Sequence, residues 1–356
     1  MRISDFDYEL PAELIAQYPL EQRDAARMLV LDRKQTRWSD SRFAELPMHV
    51  SAGDVVVVNN TRVFPARLVG TREPSGGRIE LFLIRERAGG EWEALARPAK
   101  RLQKGARISF GAGRLHADVI EMLDEGRRLV RFESAEPFHT ALEELGRTPL
   151  PPYIKRQHSD GAQHSDEAMT AARVDRERYQ TIYAARSGAI AAPTAGLHFT
   201  KQVLNELAAR GAQVIEVTLH VGYGTFEPVR AQEIGEHTVA PEQCEIGTEA
   251  AQAINEARAN GKRIIAVGTT TTRALESAVN DAGHVAEGAR DAKLTITPGY
   301  KFRAVDALLT NFHLPRSSLL LLVAAFAGRD FALAAYHHAV ASRYRFYSYG
   351  DCMLII

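Results

Sequence analysis

Hydrophobic and polar positions change their pattern along the chain. Residues 55–60 form the β-branched run VVVVNN, which predicts a strand buried on both faces. Residues 66–134 then form short stretches with alternating apolar and polar positions, separated by Gly-rich turns such as 75–77 and 111–113. This spacing is typical of a small all-β barrel. We therefore predict an inserted β domain at residues 66–148.

After the prolines at 149–152 the pattern becomes strand, helix, strand. Two such units have a polar cap before the helix and a glycine at its end. The caps, end glycines and following strands are Thr200, Gly211 and 213–221 in the first unit, and Thr248, Gly261 and 263–268 in the second. Residues 188–193 are a further predicted strand, 330–342 a last helix and the polar stretch 157–172 a loop. The fold class is therefore α/β, with a mixed, partly parallel sheet in a discontinuous domain of residues 1–65 and 149–356.

Composition narrows the possible partners and location. Lys plus Arg and Asp plus Glu number 44 each, so RNA contacts would have to come from local basic patches. The apolar stretch 319–327 is shorter than the roughly 20 residues that span a bilayer. The acidic N-terminus lacks the apolar core of a secretory signal. We expect a cytoplasmic monomer without a membrane span, in which Cys244 and Cys352 are free thiols.

Candidate ligand-binding residues gather where predicted strands end, which is where α/β proteins tend to bind ligands. Four stretches fit this position. They carry Thr194, Gly196 and His198; His220, Gly222, Gly224 and Thr225; Thr269, Thr270, Arg273 and Glu276; and Asn311, His313 and Ser318. A single histidine after a strand is more often structural than catalytic, but three together favour catalysis. The phosphate-loop and dinucleotide patterns and zinc-helix histidine spacing are missing from the sequence, which disfavours triphosphates, nicotinamide and a metal.

Local basic patches are the candidates for RNA contact. Residues 97–105 contain Arg97, Lys100 and Lys104, which could neutralise phosphates or could be the solvated face of an edge strand. Cations also alternate with aromatic residues, as single-strand binding requires. These further candidates are Arg62 and Arg67 around Phe64, Lys155 and Arg156 after Tyr153, and Arg345 in the aromatic tail 344–355. The tail aromatics are more often core residues than stacking platforms.

Several long motifs resemble a known family. They are FDYELPAELIAQYP (6–19), VVNNTRVFPARL (57–68), RPAKRLQKG (97–105), LPPYIKR (150–156), YQTIYA (179–184), AAPTAGLHFT (191–200), TLHVGYGTF (218–226), VGTTTTRALES (267–277), TNFHLP (310–315), SSLLLLV (317–323) and YRFYSYGDCMLI (344–355). In this order and over nearly the whole chain, they resemble the queuosine ribosyltransferase-isomerase family. One departure is that Ala240 stands where the family pattern His-x-Met-His-x-Glu has its second histidine. His237 and Glu242 therefore receive little weight.

The resemblance implies a fold and a reaction. The fold is an α/β domain with an inserted antiparallel β-barrel, which agrees with the segmentation. In the reaction, the ribosyl part of S-adenosylmethionine is transferred and isomerised onto the 7-aminomethyl-7-deazaguanine wobble base of tRNA, giving epoxyqueuosine-tRNA. Adenine and methionine leave, so S-adenosylmethionine is a consumed co-substrate and no bound cofactor is implied. Such a reaction needs a base and an acid, for which we consider His198, His220 and His313, with Glu276 and Asp351 as orienting groups.

Two other functions remain open on sequence. A methyltransferase would use the same sulfonium donor, but its usual Gly-rich fingerprint is missing from the sequence. The second is a non-catalytic RNA-binding protein with a β-barrel. That function would not explain the loops of the α/β half that contain Gly, His and Thr.

Overall fold

The computed structural model describes residues 1–156, 166–226 and 229–356, without the side chains of 166–169 and 225–226. The strands are β1 Arg27–Asp32, β2 Arg37–Arg42, β3 Val55–Asn59, β4 Thr61–Val63, β5 Arg67–Arg72, β6 Gly77–Glu86, β7 Glu91–Arg97, β8 Arg107–Phe110, β9 Leu115–Met122, β10 Arg127–Ser134, β11 Arg186–Ala189, β12 Gln213–Leu219, β13 Glu242–Ile246, β14 Ile264–Val267, β15 Gly288–Ala292, β16 Ala307–Asn311 and β17 Cys352–Ile355. The α-helices are α1 Phe138–Leu145, α2 Asp166–Arg178, α3 Lys201–Ala209, α4 Thr248–Ala259, α5 Thr269–Ala278, α6 Ser318–Ala327 and α7 Arg329–Ala341.

A nine-stranded sheet forms the α/β part, in the order β15-β13-β12-β3-β14-β16-β17-β1-β2. Strand β3 is buried along its whole length and pairs in parallel with β12 and β14, as its unbroken valine run predicts. Strand β16 extends this parallel block, and β17 pairs antiparallel with it. The sheet is therefore mixed, and the prediction of an α/β fold with a partly parallel sheet is confirmed.

The predicted barrel is also confirmed. Strands β5 to β10 close in the order β10-β7-β6-β5-β8-β9, and every pair is antiparallel. These strands lie within the predicted insert, although the domain boundaries themselves stay a prediction. Because the described barrel is closed, residues 97–105 do not lie on an edge strand. Instead Arg97 ends β7, and a 3-10 turn at Ala99–Arg101 follows.

Local predictions had mixed outcomes. Thr200 caps α3 as predicted, since its Oγ1 atom accepts a hydrogen bond from the Val203 amide at 3.3 Å. Thr248 is instead the first residue of α4, because Gly247 has the extended backbone of the cap position. The strand predicted at 188–193 ends at Ala189. The loop predicted at 157–172 is wrong from Asp166 onward, where α2 begins with helix-forming residues, while 157–165 lie outside the described residues.

The apolar stretch near the C-terminus belongs to the core. Leu320, Leu321 and Val323 of α6 are buried in the cluster that covers one face of the large sheet. In the described part of the chain, no single helix is long and apolar enough to cross a membrane. Helices α6 and α7 pass that test only as a pair, and they are bent by 115° at the break between them.

Candidate active site

A cavity of about 1650 Å³ lies between the strand ends of the large sheet and the barrel. Because β12, β3, β14 and β16 run parallel, their carboxyl ends meet at one edge, and the four predicted stretches follow that edge or pack beside it. The predicted residues that line this cleft are Thr194, His220, Gly222, Gly224, Thr269, Thr270, Arg273, Asn311, His313 and Ser318. From the barrel side, Trp92, Leu95 and Arg127 contribute to the wall.

Asn59, the last residue of β3, joins two of these stretches. Its Nδ2 atom donates to the Leu219 carbonyl at 2.9 Å, and its Oδ1 atom accepts from the Leu219 amide at 3.0 Å. The same Nδ2 atom lies 3.4 Å from Thr270 Oγ1. Asn59 is fully buried, so these bonds fix the position of the loops at the strand ends. Sequence reasoning missed this role, although a polar residue directly after a buried valine run was a usable signal.

His220 lies in the cleft wall with a restrained ring. Its Nδ1 atom is 2.8 Å from Thr61 Oγ1. The ring also packs against Gly188, where an added Cβ would come within 2.7 Å of it, so only glycine fits there. Partial burial lowers the pKa of His220, and the nearby Arg186 adds to that effect. The imidazole is therefore neutral near pH 7.

His313 is the second histidine of the cleft. Its Nε2 atom is 2.8 Å from Thr310 Oγ1, and its backbone amide donates to the Tyr336 hydroxyl at 3.1 Å. The Tyr8 hydroxyl donates to its carbonyl. Burial lowers the pKa of His313 to about 3. This ring is fixed in position and is neutral at any ordinary working pH.

His198 lies behind the cleft rather than in its lining. Its ring packs 5.2 Å from that of Phe43, and burial lowers its pKa to about 4. Neither His198 Nε2 nor Asn311 Oδ1 makes a hydrogen bond of normal geometry within the described residues, although the Asn311 side chain partly offsets the effect of burial on the pKa of His198. Gly196 also lies behind the cleft, where an added Cβ would be 2.2 Å from the Tyr183 hydroxyl.

A buried ion pair forms part of the cleft floor. Arg273 pairs with Glu242 and donates to the carbonyls of Leu294 at 3.1 Å and Ala292 at 2.9 Å. The other carboxylate oxygen of Glu242 accepts from the Gly222 amide at 2.9 Å. Glu242 therefore fixes both a cation and a glycine turn of the site. Sequence reasoning gave Glu242 too little weight because Ala240 departs from the family pattern, and no local pattern indicates a partner 31 residues away.

The segment 237–242, in which Ala240 departs from the family pattern, also contacts the cleft. His237 Nε2 is 2.7 Å from Oγ of the cleft residue Ser318. Ala240 lines the cleft, and its Cβ lies 2.9 Å from the position that a Cβ on Gly224 would take. The close packing of Ala240 against Gly224 closes this side of the wall.

Two predicted carboxylates lie outside the cleft. Glu276 accepts from the backbone amides of 303–305 and from the Tyr300 hydroxyl. Asp351 accepts from the amides of Arg27 at 2.9 Å and Arg345 at 2.8 Å. Both hold loops together. The side chain of Thr225 lies outside the part that the structure describes.

The predicted RNA-contact residues fall into two groups. Arg62, Arg97, Lys100, Lys104 and Lys155 are exposed. The other three are half-buried and engaged within the chain: Arg67 pairs with Glu80 at 3.3 Å, Arg156 pairs with Asp175 at 2.6 Å, and Arg345 donates to the Tyr18 carbonyl. The tail aromatics Tyr344 and Phe346 are core residues, as expected. Among the described residues no cluster of three or more His, Cys, Asp or Glu side chains could hold a metal ion.

Fold and cleft together define an α/β protein with an attached β-barrel and a candidate ligand site at the strand ends of its large sheet. The family model described as a queuosine biosynthesis protein matches residues 3–355. The S-adenosylmethionine:tRNA ribosyltransferase-isomerases of Syntrophotalea carbinolica and Desulforamulus reducens are 49% and 44% identical, with both chains fully covered in each case. The crystal structure of the S-adenosylmethionine tRNA ribosyltransferase from Thermotoga maritima is similar with 36% identity and a TM-score of 0.55, over 99% of this chain and all of that one. The chain belongs to the queuosine biosynthesis protein family.

Proposed function

We propose that this chain is an S-adenosylmethionine:tRNA ribosyltransferase-isomerase, an enzyme with S-adenosylmethionine and a tRNA as its substrates. The observation that carries the proposal is the cleft at the strand ends. Its volume of about 1650 Å³ exceeds the roughly 300–1000 Å³ of ordinary small-molecule sites. It therefore has room for a sulfonium nucleoside and for a base turned out of an RNA loop, as base-modifying enzymes require.

The finer proposal concerns the base and the products. The acceptor is the aminomethyl group of a 7-deazaguanine at the tRNA wobble position, and the transferred ribosyl unit is isomerised to give epoxyqueuosine-tRNA. Adenine and methionine are the leaving groups, so S-adenosylmethionine is consumed and serves as no resident cofactor. We further expect the enzyme to act as a cytoplasmic monomer without a bound cofactor.

His220 is our candidate for the base that removes a proton beside the sulfonium. The Thr61 hydroxyl donates to the Arg186 carbonyl at 3.4 Å, so its oxygen is available to accept from Nδ1–H of His220. That tautomer leaves a lone pair on Nε2. Because the lowered pKa makes the protonated ring a stronger acid, the same histidine can pass its proton on to the departing adenine.

The other cleft residues supply binding groups. His313 and Asn311 stand at the end of β16, where they can bind ribose hydroxyls. Helix α5 begins at Thr269, and its free amides with the hydroxyls of Thr269 and Thr270 suit the methionine carboxylate. Arg273 and Ser318 complete the floor and wall, while His198, Glu276 and Asp351 act from behind the cleft as supports.

The exposed cations are our candidates for the RNA backbone. Arg97, Lys100 and Lys104 project from one end of the barrel, and Arg62 and Lys155 lie in the segments that join the barrel to the α/β part. They can neutralise phosphates while the loop base enters the cleft. Arg67, Arg156 and Arg345 are already hydrogen-bonded within the chain and are expected to contribute through their remaining N–H groups.

Product analysis tests the reaction. The purified chain is incubated with S-adenosylmethionine and with tRNA that does or does not carry the aminomethyl-deazaguanine, and adenine, methionine and S-adenosylhomocysteine are quantified by chromatography. We expect equal amounts of adenine and methionine, formed only with the modified tRNA. S-adenosylhomocysteine would instead indicate a methyltransferase, and RNA binding without any product would indicate a non-catalytic protein.

A further inference from the structure

The surface segment 17–21 is held by arginines that bind its backbone carbonyls. The contacts run from Arg156 to the Gln17 carbonyl at 2.9 Å, from Arg345 to the Tyr18 carbonyl, and from Arg178 to the carbonyls of Leu20 at 2.5 Å and Glu21 at 3.2 Å. A loop of five residues fixed at four backbone carbonyls has little conformational freedom left to lose on binding a ligand. The Tyr18 side chain is therefore presented from a preorganised backbone.

Positive charge accumulates around this segment. Within the described residues, the guanidinium groups of Arg23, Arg178 and Arg345 donate to backbone carbonyls and not to carboxylates. Arg178 Nε and Arg345 Nη1 are buried, and no acceptor for them is found among the described residues. Burial and the neighbouring Arg178 lower the pKa of Arg23, which is the response of a cation without a close counter-ion. Glu177 and Asp351 offset this charge from a longer distance.

An exposed aromatic ring stands beside this charge. The Tyr18 side chain is 66% exposed, and the Arg156 guanidinium lies 4.8 Å from its ring centre. A mainly apolar groove of about 500 Å³ runs from Tyr18 and Pro19 to Val174. The bidentate pairing with Asp175, at 2.6 and 2.9 Å, fixes Arg156 at the back of the groove. A free aromatic face next to fixed cations is the usual platform for a nucleobase.

This platform is joined to the wall of the active-site cleft. Gln17 Nε2 donates to the Tyr153 carbonyl at 2.9 Å, and its Oε1 atom accepts from the Lys155 amide at 2.8 Å. Tyr153 lines the cleft, and so does Tyr179, which directly follows Arg178. The platform and the cleft therefore share the loop of residues 150–156 as a common wall.

We propose that Tyr18, Arg23, Arg156, Arg178 and Arg345 form a subsite for a single-stranded RNA nucleotide that flanks the base held in the cleft. The flanking base stacks on Tyr18, and a neighbouring phosphate is bound by Arg23, Arg178 and Arg345. This subsite rests on the proposed function, because it requires an RNA loop at the cleft. It would hold the loop in the register that places one particular base at the reacting groups.

The test uses Tyr18→Ala, which removes the ring but keeps the backbone carbonyl that Arg345 binds. Tyr18→Phe keeps the ring, and Met48→Ala removes a side chain of similar exposure, 60%, elsewhere on the surface. Fluorescence anisotropy gives the dissociation constant of an anticodon stem-loop RNA for each variant. Calorimetry gives the dissociation constant of S-adenosylmethionine, and turnover is measured on the same samples. We expect RNA binding about 5- to 150-fold weaker in Tyr18→Ala. Tyr18→Phe, Met48→Ala and all S-adenosylmethionine affinities should stay within twofold of wild type.

Arg178→Gln tests the phosphate half of the subsite. The slope of log affinity against log salt should fall by about 0.7, the value for one contact to a single strand. Wild-type turnover with equal RNA affinity in wild type and Tyr18→Ala would overturn the subsite and leave the reaction intact. Weaker RNA binding in Tyr18→Ala with no turnover by the wild type would support the subsite and overturn the reaction instead.

Discussion

Nδ1 of His220 lies 2.8 Å from Oγ1 of Thr61, and this contact sets which nitrogen of the ring can accept a proton. Thr61 starts β4, two residues after Asn59, which ends the valine strand β3. The hydroxyl donates to the Arg186 carbonyl at 3.4 Å, so the oxygen is left to accept from the ring. The proposed base is thus oriented by a residue of a strand.

Replacement of His220 should affect the chemical step most. We expect His220→Gln to lower the single-turnover rate of adenine release by about 10²–10⁴-fold, the usual contribution of a general base. Thr61→Val, which removes only the orienting oxygen, should cause a smaller loss. His284→Gln is the matched control, because His284 is exposed and is not one of the residues that line the cleft. A rate within tenfold of wild type in each of His198→Gln, His220→Gln and His313→Gln would rule out histidine catalysis.

The two buried histidines should make stability depend on pH. Burial holds the folded-state pKa of His198 near 4 and that of His313 near 3, below the ordinary value of 6.5. Between the folded-state and the unfolded-state pKa of each histidine, the unfolded chain binds more protons than the folded chain. The free energy of unfolding is therefore highest above pH 6.5 and decreases as the pH falls towards 4. The loss can reach about 1.4 kcal/mol per pH unit for each histidine. Urea unfolding at pH 7, 6 and 5 checks it, and His198→Gln should reduce the slope while His284→Gln should not.

Gly196 should not tolerate even one added methyl group. A Cβ there would lie 2.2 Å from the buried Tyr183 hydroxyl, so Gly196→Ala should destabilise the fold by about 1–3 kcal/mol. Combining it with Tyr183→Phe removes the colliding oxygen and should restore part of the loss. Gly235→Ala is the control, since a Cβ at that position would have no atom of the described residues within 4 Å. Equal unfolding free energies for Gly196→Ala and Gly235→Ala would contradict this packing.

Loss of the charge on Glu242 should cost more than loss of a surface charge. Glu242→Gln leaves Arg273 buried beside a neutral amide, and removal of one partner of a buried pair costs about 3–5 kcal/mol. The matched control is Glu245→Gln in the same strand, whose exposed pair with Arg186 is worth about 0–1 kcal/mol. Chemical unfolding of both variants gives the comparison. A smaller loss in Glu242→Gln than in Glu245→Gln would show that the pair is not a structural element of the floor.

The barrel cations should contribute to RNA affinity through charge alone. We expect a variant with Arg97, Lys100 and Lys104 changed to Gln to have a shallower salt dependence of tRNA binding, by up to about 0.7 per lost contact. Arg37→Gln, on the edge strand β2, removes an exposed charge elsewhere and serves as the control. An unchanged slope in the triple variant would remove this patch from the RNA surface.

Local pattern was enough to predict the strands and the edge at which ligand groups collect. The valine run at 55–58 and the alternating stretches of the barrel indicate from their own pattern which side chains are buried. Because four strands of the large sheet run parallel, their ends then bring Thr269, His220 and Asn311 to the same cleft. The pairing of Glu242 with Arg273 and the link from Asn59 to Thr270 depend on tertiary contacts that no local pattern encodes. Glu276 and Asp351 illustrate the converse problem: a carboxylate near a motif can bind backbone amides as readily as a ligand.

Isotope transfer tests the proposed reaction most directly. S-adenosylmethionine labelled with ¹³C in the ribose, or in a second sample in the methyl group, is incubated with the enzyme and the aminomethyl-deazaguanine tRNA, and the digested RNA is examined by mass spectrometry. Ribosyl transfer predicts that the ribose label appears in the modified nucleoside and that the methyl label leaves with methionine. Methyl label in the RNA, or RNA without either label, would contradict it.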